Sequence, residues 1–112
     1  MKQQDIVWIR FPFSTLTKHK IRPALIVSNN QYNAKSSDVI VCAVTSKLDH
    51  TNGIIIDSDD LVEGSLPLKS MIRADKIMQV NKVLIERSFA RLHDMQFDKL
   101  SNHIYDLVRR KA

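Results

Sequence analysis

The hydrophobic positions of the chain fall in short runs that polar segments interrupt. Each run is shorter than a typical helix and is rich in the β-branched and aromatic residues that favour strands. The run over residues 38–46 is the most apolar and is expected in the middle of the core. The pattern predicts strands over residues 5–11, 21–28, 38–46, 53–57, 66–73 (with an extension towards residue 80) and 86–92.

The segments between these runs carry turn-forming and charged residues. Pro12 removes a ladder donor and is expected to end the first strand. After it we predict a basic loop over 13–20, an Asn- and Ser-rich loop over 29–37 and a turn over 47–52. Residues 58–65 are predicted to form an acidic loop or short helical turn, and residues 80–85 a turn or a single 3₁₀ turn.

The last part of the chain changes to a helical period. Asp94 is a suitable N-cap, and the positive residues 109–111 suit the C-terminal end of the helix dipole. The apolar positions that recur at helical spacing are Phe97, Leu100, Ile104, Leu107 and Val108, a stripe that we assign to the core. Strands followed by one helix predict a mainly β chain, a small barrel with the helix packed on it.

Polar side chains stand at the ends of two neighbouring predicted strands. Arg22 precedes Pro23, which favours an extended conformation for Arg22 at the start of the second strand. Thr45 and Ser46 end the third strand. If the two strands are antiparallel neighbours, Arg22 and Thr45 share one rim of the barrel. The predicted loop that carries Lys18, His19 and Lys20 would then lie over the same rim.

This combination of residue types suits RNA. Cationic groups hold a phosphate and stabilise its charge in the transition state, and a hydroxyl can donate to a phosphate oxygen. The 2′-hydroxyl of RNA can itself act as nucleophile, so the chemistry requires no nucleophile from the protein, no metal and no cofactor. Each residue also has an ordinary structural interpretation: Arg22 and Arg73 as surface cations, Thr45 as a strand-end hydroxyl, and His19 as a solvated loop residue.

The composition of the chain narrows the possible classes of protein further. The 112 residues predict one domain over 1–112, and the net charge of +5 favours a polyanionic partner. Cys42 is the only cysteine, so it cannot form an internal disulfide, and it is predicted to be a buried thiol in a reducing cytosol. No signal peptide and no membrane-spanning run are recognised, so a cytoplasmic protein is expected. The four histidines are scattered without a metal-ligand spacing, and no metal site is predicted.

Four segments together resemble the MazF/PemK family of toxins from bacterial toxin–antitoxin pairs. They are DIVWIRFPF, IRPALIVS, VIVCAVTS and LKSMIRADKI, in this order and spacing. The resemblance implies an SH3-like barrel and a homodimer that cuts single-stranded mRNA without a metal, leaving 2′,3′-cyclic phosphate and 5′-hydroxyl ends. It also implies a cognate antitoxin, whose acidic segment covers the RNA site.

The resemblance assigns roles to individual residues. Arg22 matches the arginine that acts as acid or phosphate clamp, and Thr45 matches the threonine that donates to the transition state. Gln4 departs from the glycine usual in the family, and Ser70 from an acidic residue read as a base in some members. The general base therefore stays open, with His19 as a weak substitute. We assign RNA binding to Lys18, His19, Lys20, Ser46, Ser70 and Arg73.

Two functions of other classes stay open at this point. A CcdB-like toxin has the same barrel but poisons DNA gyrase by binding and cuts nothing. A catalytically inactive RNA-binding module would keep the salt-sensitive affinity that phosphate contacts give.

Overall fold

The short apolar runs form one antiparallel sheet. The computed structural model describes residues 1–11 and 20–111. In these ranges seven strands pair in the order β4-β6-β3-β2-β1-β7-β5. Their bounds are β1 Asp5–Phe11, β2 Lys20–Ile26, β3 Asp38–Thr45, β4 Gly53–Ile56, β5 Leu61–Gly64, β6 Ser70–Asn81 and β7 Ile85–Leu92. The helices are α1 Asn30–Lys35 and α2 Asp94–Val108, and 3₁₀ turns cover Ser58–Asp60 and Lys82–Leu84.

The central strands bury side chains on both faces of the sheet. Successive residues of a strand point to opposite sides, so two neighbouring buried residues belong to different faces. On β1, Ile6 joins a core cluster that also contains Leu100 of α2. The next residue, Val7, joins a second cluster on the other face, against which Leu84 of the 3₁₀ turn packs. The helix α2 covers one face of the sheet. The sheet curls around its other face, which buries that face as well, and the result is a half-barrel with α2 on the outside.

The predicted fold class is confirmed, with several corrections to the elements. Residues 29–37 are not a loop throughout, because α1 forms there, and β5 was not predicted. The predicted strand over 66–73 begins only at Ser70, although its extension towards residue 80 is confirmed, since β6 ends at Asn81. None of the helices in the described part of the chain has the length and apolar character needed to span a bilayer.

The predicted N-cap of α2 was wrong, whereas Arg109, the first of the predicted basic residues, is the C-cap. His93 caps it, its ring nitrogen accepting from the Met95 amide, and Asp94 is the first helical residue. At the other end the helix stops at Val108, so the basic residues 109–111 follow it. Leu100 is fully buried, but Leu107 and Val108 are 43% and 71% exposed, so the last turn of the predicted core stripe faces solvent.

Gln4, where the resemblance places glycine, has a left-handed backbone with φ of 78°. Glycine adopts this conformation without strain, which gives a physical reason for a glycine there. The Gln4 side chain offsets part of the cost, since its amide donates to the Leu92 carbonyl at 3.0 Å and to Asp94 Oδ1 at 2.7 Å. The departure is therefore compatible with the same turn.

Cys42 is predicted to be unreactive in the folded protein. Its side chain is fully buried, as the sequence indicated, and this burial, with a smaller effect of the Asp75 charge, raises the pKa of the thiol to about 12. Since the thiolate is the reactive form, a disulfide reagent at about pH 8 should modify native protein far more slowly than protein unfolded in guanidinium. Equal rates in the two states would contradict the burial of Cys42.

Candidate functional site

A gap between two central strands forms the site. β2 and β3 are antiparallel, as the sequence argument required, and their pairing ends at Ala24 opposite Ala43. Pro23, which precedes Ala24 in β2, has no N–H to donate to a ladder, so the two strands separate at this point. Continuing the register past this last pair brings Arg22 opposite Thr45. The predicted juxtaposition is therefore present where the sheet opens.

A cavity of about 750 Å³ lies at this opening, and its lining is strongly cationic. Arg22 and Thr45 both line it. Among the described residues the lining contains five lysines and arginines and no aspartate or glutamate: Lys20, Arg22, Lys47, Arg73 and Lys76. Apolar and aromatic side chains, Trp8, Phe11 and Phe89 among them, complete the wall. Such a surface attracts a polyanion and offers flat rings for bases.

Arg22 is free to bind an anion from solvent. It lies in β2, paired with Ile9 across the β1 ladder, and it is exposed. In the described ranges no carboxylate forms an ion pair with its guanidinium. A guanidinium can hold two phosphate oxygens at once, and the ladder with β1 fixes the backbone of Arg22.

A bulge in β6 brings further charges to the cavity. Cys42 pairs with Ile77 and Val44 with Ile72, so residues 73–76 of β6 stand against Ala43 alone. Bulges of this kind redirect side chains. Arg73 and Lys76 of the bulge line the cavity, and Arg73 donates to both Asp75 oxygens at 3.2 and 3.3 Å. This hydrogen bond is the main reason why the pKa of Asp75 lies below its ordinary value, and the charges of Arg73 and His50 act in the same direction.

The two hydroxyls on the cavity wall differ in what they can offer. Thr45 Oγ1 accepts from the Lys47 amide at 3.1 Å, which keeps its own proton available for a ligand. Ser70 is buried, and its hydroxyl donates to the Leu68 carbonyl at 2.9 Å. The Thr45 hydroxyl is therefore the better hydrogen-bond donor to a ligand. The Ser70 hydroxyl is already engaged, so Ser70 contributes mainly to the shape of the cavity wall.

The structure brings together most of the residues predicted for the site. Arg22, Thr45, Ser46, Ser70, Arg73 and Lys20 all line the cavity. Lys20 is the first residue of β2, not part of the preceding loop. The predictions for Lys18 and His19, and for the rest of the loop after Pro12, fall outside the described residues.

Sequence reasoning missed four charged or titratable residues at this site. His50 and Lys47 come from the turn between β3 and β4, and Lys76 and Asp75 come from the β6 bulge. The turn could have been identified, because it leaves β3 at the same rim as Thr45. The bulge could not, since it depends on how β6 pairs with β3. In the described ranges no group of three or more His, Cys, Asp and Glu side chains is placed to hold a metal ion.

The sequence matches the family of PemK-like, MazF-like toxins of type II toxin–antitoxin systems over residues 2–108. The chain belongs to this family. The resemblance seen in the four sequence segments is thereby confirmed, and the Arg22 and Thr45 side chains of this MazF-like toxin now have a structural setting. No curated protein sequence matches the chain at a significant level.

Solved structures share the fold at low sequence identity. The MazE–MazF complex from Deinococcus radiodurans superimposes with a TM-score of 0.81 at 17% identity, covering 96% of this chain and 95% of that one. An endoribonuclease in complex with its cognate antitoxin from a Mycobacterial species gives 0.76 at 18% identity, covering 100% and 97%. The Mycobacterium tuberculosis toxin MazF-mt6 gives 0.74 at 19% identity, covering 91% and 93%. These MazF structures have the same curled sheet and C-terminal helix.

Proposed function

We propose that this MazF-like toxin is an endoribonuclease that cuts single-stranded mRNA in the cytoplasm without a metal ion. The supporting observation is the arrangement of Arg22 opposite Thr45 in a cavity whose described lining has five cationic side chains and no carboxylate. Solved relatives of the same fold are named endoribonucleases. The Arg22 and Thr45 side chains are the proposed catalytic groups, and Lys18, His19, Lys20, Ser46, Ser70 and Arg73 the proposed RNA-binding groups.

The reaction is an internal transfer at one phosphate. The 2′-oxygen of the substrate forms a bond to phosphorus, and the bond from phosphorus to the 5′-oxygen of the next nucleotide breaks. This leaves a 2′,3′-cyclic phosphate and a 5′-hydroxyl. Arg22 holds two phosphate oxygens, and the Thr45 hydroxyl donates to one of them as negative charge accumulates there. The proton of the 2′-hydroxyl passes to a base, and the departing 5′-oxygen takes a proton from solvent water.

The base must come from a group near the cavity. Two described side chains qualify: His50, which lines the cavity, and Asp75, which is paired with Arg73. A carboxylate whose pKa is lowered by its partner is a weak proton acceptor. We therefore assign the base to His50, in place of the missing acidic residue at Ser70 and of the loop residue His19.

Two protein partners belong to the proposal. Structures of similar fold are complexes of a toxin with its antitoxin. We propose that an antitoxin with an acidic segment binds the cationic cavity and blocks RNA, and that the toxin is a homodimer. The net charge of +5 agrees with an acidic antitoxin segment, and the homodimer rests on the family resemblance alone.

A cleavage assay tests the function. A long single-stranded RNA is incubated with the protein in excess EDTA, and the ends of the products are mapped. The proposal expects discrete cuts with cyclic phosphate ends. Intact RNA would contradict it and would direct attention to gyrase poisoning, which a supercoiling assay measures, or to RNA binding alone.

Replacing His50 by glutamine is expected to lower the cleavage rate about a hundredfold, because positioned proton transfer contributes roughly 10²–10⁴-fold. Asp75→Asn is the matched comparison. Asp75, with its lowered pKa, stays ionised well into the acidic range and so adds no pH dependence near neutrality. A pH dependence of the wild-type rate near neutrality that disappears in the His50 variant would be the signature of a histidine base. A large loss in Asp75→Asn alone would assign the base to Asp75 instead.

A further inference from the structure

A second concavity of about 480 Å³ adjoins the catalytic cavity. Trp8, Ile21, Glu86 and Arg87 line it, and Trp8 and Ile21 line both concavities. Its volume falls within the range of about 300–1,000 Å³ typical of small-molecule sites. The two concavities are therefore continuous along one wall, and a chain-like ligand can occupy both.

The wall of the second concavity suits a nucleobase. Trp8 stacks on Phe89 with ring centroids 4.7 Å apart and an angle of 21° between the planes, which fixes the orientation of the indole. Ile21 is 51% exposed beside it, an apolar side chain that folding leaves in solvent. A fixed aromatic ring with an adjacent apolar side chain is the usual platform on which an unpaired base stacks.

The charges of the second concavity suit a phosphate. Arg87 lies opposite Trp8 in the β1–β7 ladder and is exposed. In the described ranges no carboxylate pairs with Arg87, and the neighbouring Glu86 is occupied by Arg10, whose Nε lies 2.8 Å from a Glu86 oxygen. The Arg87 guanidinium is thus available to an anion, while the one acidic side chain of the lining is neutralised by Arg10.

We propose that Trp8, Ile21 and Arg87 form a nucleotide subsite, which holds one unpaired nucleotide adjacent to the phosphate bound at Arg22. The base stacks on Trp8 and Ile21, and Arg87 binds the phosphate of that nucleotide. The proposal rests on the proposed ribonuclease function, because it takes the RNA in the catalytic cavity as its starting point. It adds a site that positions the strand and selects for an unpaired nucleotide next to the cut.

The kinetic test uses short RNA oligonucleotides built around a mapped cut and lengthened by one nucleotide at a time at either end. For the wild type, one added nucleotide should raise kcat/KM by about tenfold, because stacking of a base on an aromatic side chain contributes on this scale. An abasic residue at that position should lose most of the gain. In Arg87→Ala the step should shrink severalfold, whereas Arg110→Ala, an exposed arginine after α2, should keep it.

A binding test separates failure of the subsite from failure of the proposed function. Trp8 is the only tryptophan of the chain, so its fluorescence reports this position alone. The probe is the same oligonucleotide with a 2′-deoxy residue at the cut, which cannot be cleaved because it lacks the nucleophile. We expect a saturable change of Trp8 emission with the full-length probe and a much smaller one when the flanking nucleotide is missing.

The outcomes are distinct. A change of Trp8 emission that requires the flanking nucleotide, without any cleavage of RNA, would contradict the ribonuclease proposal and support the subsite. Cleavage whose length dependence is the same in Arg87→Ala, Arg110→Ala and the wild type would overturn the subsite and leave the ribonuclease proposal intact. A response of Trp8 to an acidic peptide but to no oligonucleotide would also overturn it, since the platform would then serve a protein partner.

Discussion

Replacing Arg22 by alanine is expected to lower the rate of RNA cleavage by about 10²–10³-fold, the usual cost of removing one preorganised charge-stabilising group. The guanidinium is exposed, without an ion-pair partner in the described ranges, and lines the cavity opposite Thr45. Its interactions with the phosphate strengthen as negative charge develops, so kcat should fall more than KM rises. The measurement is single-turnover cleavage of an oligonucleotide that contains a mapped cut.

The fold should survive this change. Because Arg22 is exposed and packs against no core cluster, its loss should alter the free energy of unfolding by no more than about 0.5 kcal/mol. Arg22→Lys keeps the charge but loses the two-pronged geometry, and we expect it to recover only part of the rate. Arg110→Ala controls for the loss of one positive charge. Normal cleavage by a folded Arg22→Ala protein would remove Arg22 from the mechanism.

The central strands could be predicted because their residues carry the information locally. β1, β3 and the second half of β2 are short runs rich in β-branched and apolar residues, and most of their positions agree with a strand buried on both faces. The element α1 was not predicted, because it is six polar or small residues long and no apolar period is visible at that length. The Asn29 side chain caps the start of α1 by accepting from the Tyr32 amide. In the sequence alone, Asn29 indicates only a turn, because asparagine favours turns as well as helix caps.

The start of β6 was misplaced for a different reason. Leu66 and Leu68 extend the apolar alternation of residues 70–74 backwards, which suggested a strand from residue 66. In the structure both leucines precede the strand and line the cavity of about 750 Å³, and Leu68 is 63% exposed. Leu66 packs against a core cluster from outside any strand, and Leu68 is exposed. Neither case differs in the sequence from a residue buried within a strand, so the alternation placed the start of β6 too early.

The residues at the centre of the candidate site could be predicted from the sequence, whereas the charged residues that the β6 bulge adds at its edge could not. Arg22 and Thr45 line the same cavity because two consecutive strands are antiparallel neighbours, which is the commonest arrangement of such strands. The contributions of Lys76 and Asp75 depend on a bulge between non-consecutive strands, and no local pattern specifies the register of that pairing. His50 lies in the turn that leaves β3 beside Thr45, so its neighbourhood could have been identified, although the path of the turn towards β4 also depends on the pairing of β4 with β6.

Replacing Thr45 by valine should lower kcat by about a hundredfold with little change in KM. Valine keeps the shape and removes the hydroxyl, which we propose donates to a phosphate oxygen only as charge develops there. The change also removes the acceptor of the Lys47 amide, but Lys47 is exposed, so water replaces the bond and stability should fall by only about 1 kcal/mol. Thr45→Ser keeps the hydroxyl and should cleave within a few-fold of the wild type.

The double variant Arg22→Ala with Thr45→Val decides whether the two side chains act on one phosphate. Groups that stabilise the same transition-state charge are not additive, so the double variant should lose less than the product of the two single losses. Independent roles would give the full product. Equal cleavage by Thr45→Val and Thr45→Ser would show that the hydroxyl takes no part, and would leave the threonine with only its structural contact to the turn that carries His50.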